Sequence, residues 1–158
     1  MLKIYTILLF GFLSLLFGSS EEVRIEANIF EVNEKDKISI FSGEVKIRKG
    51  RDELNSSVLK IYFDEENQPE RYEILNSVSF KIHLKENSTY LGKAEKVNLF
   101  PKTDKYIFSK DVEIYEIETG RKIEGDNVSL DGESGSARIV GGSKKPVVMS
   151  FKVEGKEE

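Results

Sequence analysis

Apolar residues at every second position, in phrases that recur along the chain, constrain this sequence more than any other feature. "IFSGEVKI" (Ile40–Ile47) returns 67 residues later as "IFSKDVEI" (Ile107–Ile114). Successive side chains of a strand face opposite sides, so a period of two marks a half-buried strand. The longest run is "RYEILNSVSFKIHL" (Arg71–Leu84). There Tyr72, Ile74, Val78, Phe80, Ile82 and Leu84 point one way, and Arg71, Glu73, Ser77, Ser79, Lys81 and His83 the other. Turn-forming clusters separate the runs at Asp64–Glu70, Lys85–Ser88, Pro101–Lys105, Glu118–Arg121 and Asp131–Gly135. Strands at such regular spacing predict an all-β fold.

Four further segments share a pattern: Ile25–Val32, Leu54–Ile61, Leu91–Leu99 and Ile123–Leu130. Each begins with Ile or Leu, passes small or polar residues, and ends in an apolar-x-apolar pair. In the first two the apolar parity switches midway: Ile25, Ala27 and Ile29 are odd, but Phe30 and Val32 are even. A regular strand cannot switch parity without a bulge or bend. These segments are therefore expected to turn a corner from one sheet onto a facing one. Between them lie Ile38–Ile47, Tyr72–Ile82 and Tyr106–Ile114, whose valines Val45, Val78 and Val112 are 33 and 34 residues apart. A period in the thirties signals a stack of units that cannot bury their apolar faces alone. The unit here is a β-hairpin.

The chain opens with Lys3, an apolar run over 4–17 and the small residues Gly18, Ser19 and Ser20. That is the layout of a secretory signal. The run falls short of the roughly 20 apolar residues needed to span a bilayer, so cleavage after Ser20 or Gly18 is expected, with a retained anchor as the alternative. The absence of Cys excludes a lipoprotein. The formal charge of −4 argues against a nucleic-acid partner, which requires a clustered basic surface.

A signal followed by repeats of apolar-x-small-x2-apolar, a turn, and then "SGEVKI" or "SKDVEI" resembles the LptA/OstA-like family of periplasmic lipopolysaccharide-transport proteins. The likeness covers residues 23–140. Its hallmark is a Gly and a Val two residues apart, here Gly43 and Val45; Asn76 or Ser77 precedes Val78, and Lys110 precedes Val112. The resemblance implies an all-β, V-shaped antiparallel β-jellyroll with an apolar interior for the acyl chains of lipopolysaccharide. It also implies end-to-end pairing of terminal strands in a head-to-tail homo-oligomer. That bridge would run through the periplasm from an inner-membrane LptC-like protein to an outer-membrane LptD-like barrel. The expected organisation is a signal peptide over 1–20, the jellyroll over 21–142, and an edge strand with a charged tail over 143–158.

The residues offered for the groove are Val45, Ile47, Leu59, Ile61, Ile74, Val78, Phe80, Val97, Leu99, Phe108, Val112, Ile114, Val128 and Leu130. Such side chains suit a sealed core and a lipid channel equally. For partner-binding edges the candidates are Ile25, Ala27 and Ile29 in the first strand (Val23–Val32), and Val147, Met149 and Phe151 in the last (Val147–Val153). Catalysis is not expected. His83, the one histidine, reads as a solvated residue on a polar face. Asp64, Glu65 and Glu66 read as a charged turn rather than a metal site, and no cofactor motif is present. Two alternatives remain: a membrane-anchored LptC-like component, and a secreted β-repeat module with a sealed core and no ligand.

Overall fold

In a computed structural model residues 22–84 and 87–155 are described; the signal expected over 1–20, together with Lys85 and Glu86, lies outside them. The described residues form ten strands and no helix. They are β1 (Val23–Glu26), β2 (Ile29–Asn33), β3 (Ile38–Lys49), β4 (Asp52–Phe63), β5 (Pro69–Leu84), β6 (Ser88–Phe100), β7 (Lys105–Glu116), β8 (Lys122–Asp131), β9 (Ala137–Val140) and β10 (Val148–Ser150). Every pairing is antiparallel, and β3 to β8 follow one another as a meander.

The recurring phrase marks a bend. In β3, β5 and β7 two successive residues have positive φ: Gly43 and Glu44 (79° and 48°), Asn76 and Ser77 (68° and 54°), Lys110 and Asp111 (65° and 48°). Opposite each pair the next strand uses a single residue, Ser57, Glu95 or Asp126. Two residues keep the apolar parity, so β5 stays even from Tyr72 to Leu84 and β7 from Tyr106 to Ile114. One residue inverts it, so β4 buries Leu54 but then Leu59 and Ile61, and β6 buries Ala94 but then Val97 and Leu99. What recurs before each valine is thus a left-handed pair of residues, of which Gly43 is the one glycine. The cost is about 1–2 kcal/mol per non-glycine residue, least for Asn and Asp. At Gly43 glycine also leaves room for Asn28, whose amide N–H donates to the Gly43 carbonyl at 2.9 Å and whose side chain an added Cβ would meet.

The bends fold the meander into two facing sheets of eight strands. The first holds β1, the later half of β3, the early half of β4 and so on to the early half of β8, then β10. The second holds β2, the complementary halves and β9. This is the V-shaped β-jellyroll. The predicted first strand is two strands, one per sheet, with the corner at Ala27 and Asn28. Its counterpart at the other end is also double: β9, unread in the sequence, closes the second sheet, and of Val147–Val153 only Val148–Ser150 is paired, on the first.

On the outer face of the second sheet Glu73 is a nearly buried carboxylate. Burial pushes its carboxyl upward, yet the Lys96 ammonium at 2.9 Å, aided by Arg71 and Lys60, outweighs it and holds the carboxyl below its usual range. The pair joins β5 to β6 across the face that needs no apolar contact.

Candidate apolar interior and strand edges

All fourteen groove candidates point between the sheets and are 0–7% exposed. Leu54, Tyr72, Ile82, Leu84, Ala94 and Tyr106 complete the cluster. The first of these lies beyond a parity inversion, as does Ala94, which is why neither groove pattern included them. Phe80 of the first sheet and Phe108 of the second meet with ring centroids 4.6 Å apart, which shows how closely the layers approach. Gly92, opposite Phe80 on β6, lets that ring lie over the backbone; an added Cβ would fall 2.5 Å from Phe80 Cζ.

The interior is almost filled. A crevice of about 40 Å³ remains, lined by Val23, Ile47, Leu54, Tyr72, Ile74 and Leu99 among others. A 150 Å³ cavity is what accommodates a benzene-sized guest. At about 40 Å³ the crevice is too small for such a guest.

The edge candidates differ in burial. Ile25 is half-buried and pairs with Ile47, whereas Ala27 is exposed at the break and Ile29 is 56% exposed on β2. Val147 and Phe151 flank β10 and are exposed, as is Met149 within it. Sheet edges that carry exposed apolar residues and unpaired backbone groups are suited to strand addition.

Among the polar residues, Asp64 and Glu65 keep to expectation and His83 does not. His83 is not a solvated histidine: its side chain is 14% exposed, its backbone N–H donates to Asp52 Oδ1 at 2.8 Å, and its Nδ1 lies 3.0 Å from the same oxygen. The sequence gives no sign of this, because the partners are 31 residues apart and meet only through the β4–β5 register. Asp64 and Glu65 form the turn before β5 and are paired with Lys102 and Lys37. The Lys102 ammonium holds the Asp64 carboxyl below its usual range. Apolar surface and open backbone edges are what this arrangement offers.

A family model described as LptA/(LptD N-terminal domain) LPS transport protein matches residues 24–136. No curated protein matches the chain significantly. Among solved structures, the chain resembles LptH of Pseudomonas aeruginosa, the LptA homologous periplasmic component of the conserved lipopolysaccharide transport device. The TM-score is 0.73 at 12% identity, over 84% of this chain and 96% of that one. At that identity the likeness establishes the fold, and the family match, over most of the chain, establishes kinship. The chain belongs to the LptA/LptD N-terminal domain family of LPS transport proteins and is not an enzyme.

Proposed function

We propose that the two sheets part to take the acyl chains of lipopolysaccharide, and that copies join end to end into a periplasmic bridge. The observation that carries this reading is one unbroken apolar cluster supplied by both sheets and bounded at each end by strand edges. Each buried CH₂ contributes about 0.8 kcal/mol, so a chain of about a dozen carbons supplies close to 10 kcal/mol before ordering costs. Parting the sheets costs part of that, because acyl contacts replace contacts the layers already make.

Strand count supports the assembly. With eight antiparallel strands, the two edges of each sheet run in opposite directions. Copies stacked by translation then meet antiparallel in both sheets at once, β10 against β1 of the next copy and β9 against its β2. An LptC-like protein and an LptD-like barrel at the ends of the bridge would use the same edges.

The tightness of the interior favours a second reading, a β-module with a sealed core. Equilibrium binding of intact lipopolysaccharide and of its fully deacylated carbohydrate separates the two. The transport reading expects deacylation to weaken binding by at least about a hundredfold, equivalent to losing three or four buried methylenes. Equal affinity for both forms would contradict it, and no binding of either would favour the sealed module.

A further inference from the structure

The bends define the closed side of the V, so its open mouth lies where the hairpin turns of the two sheets face each other. Among the described residues, Asp52 makes a polar contact across that mouth. Asp52, the first residue of β4, and His83, near the end of β5, belong to the first sheet; Tyr106, at the start of β7, belongs to the second. Asp52 Oδ1 accepts the His83 backbone N–H at 2.8 Å and lies 3.0 Å from His83 Nδ1. Asp52 Oδ2 accepts the Tyr106 hydroxyl at 3.4 Å. Directly behind lies the remaining crevice, whose wall includes Asp52 and Tyr106 beside Val23, Ile47 and Leu99.

We propose that this triad is a latch that holds the mouth of the V closed until a lipid chain enters, an inference that rests on the lipid-carrying reading above. A carboxylate at the rim of an apolar core costs desolvation that an aliphatic residue there would not. Packing alone gives no reason for it, since phenylalanine at position 106 would fill the same space. The geometry also ranks the contacts by strength. Asp52 is fixed to its own sheet by two short contacts through His83, which acts as a positioning residue. The contact between the sheets is long for an O–H···O bond and correspondingly weak. Opening therefore breaks the Tyr106 contact and leaves the Asp52–His83 pair intact, ready to re-form it. The crevice behind gives the end of an acyl chain its first apolar foothold.

The test uses spin labels at Arg51 and Thr103, exposed turn positions on opposite sides of the mouth. The distance distribution is measured in the lipid-free chain and compared with Tyr106→Phe, with Asp52→Ala as a second variant that removes the acceptor. A narrow distribution in the parent chain should broaden toward longer distances in both variants. Capture of fluorescently labelled lipopolysaccharide should become faster by up to about fivefold, the ceiling set by losing one ordinary hydrogen bond. A distribution unchanged in both variants would overturn the latch. Broadening with no lipid capture by any variant would leave the latch standing and remove the lipid-carrying reading instead.

Discussion

Replacing Phe108 with alanine is expected to destabilise the chain by about 3–5 kcal/mol, the range for deleting a fully buried aromatic side chain. Phe108 is 0% exposed, and its ring is where the second sheet meets Phe80 of the first. Its loss opens a void between layers whose spacing is fixed by many other contacts, so collapse around it is limited. A stability of about 5–15 kcal/mol is usual for a domain, and the loss should appear as a large drop in the denaturant midpoint. Val58, on the other side of the same sheet, is the control: Val58→Ala should cost well under half as much. A small effect at Phe108 would mean that the layers do not depend on each other there.

The second large effect is on assembly. Removing residues 146–158, and with them β10, should leave the fold nearly intact, because every residue of β10 is exposed. The expected stability change is about 1 kcal/mol or less. Assembly should nevertheless be lost. Without β10 the first sheet has seven strands, and its two edges run in the same direction. A stacked neighbour would then have to pair in parallel on the first sheet and antiparallel on the second, which one placement cannot satisfy. Sedimentation at concentrations where the full chain forms oligomers should show monomers. Oligomers of unchanged size would show that β10 takes no part in the joint.

The sequence made the interior legible wherever parity is preserved. β5 and β7 could be read end to end because their two left-handed residues return the chain to the same face. β4, β6 and β8 could be read only in halves, since a single residue exchanges their faces; Leu54 and Ala94 were lost in that exchange. Alternation identified the fold class and fourteen inward residues. It could not show how nearly closed the interior is, because the same side chains line a trough or fill a core. β9 escaped notice for a simpler reason: "ARIV" is four residues long, too short for a period to declare itself. The Asp52–His83–Tyr106 contacts depend on three strands meeting at one rim, and no local pattern encodes that.

The central claim, that lipid lies between the sheets, is tested most directly by photo-crosslinking. A photoreactive residue is placed at Ile61 or Phe80, one on each inner face, and at their outward neighbours Lys60 and Lys81. After exposure to lipopolysaccharide and light, the account predicts adducts from both inner positions and none from the outer pair. Adducts from Lys60 and Lys81 as abundant as those from Ile61 and Phe80 would contradict it.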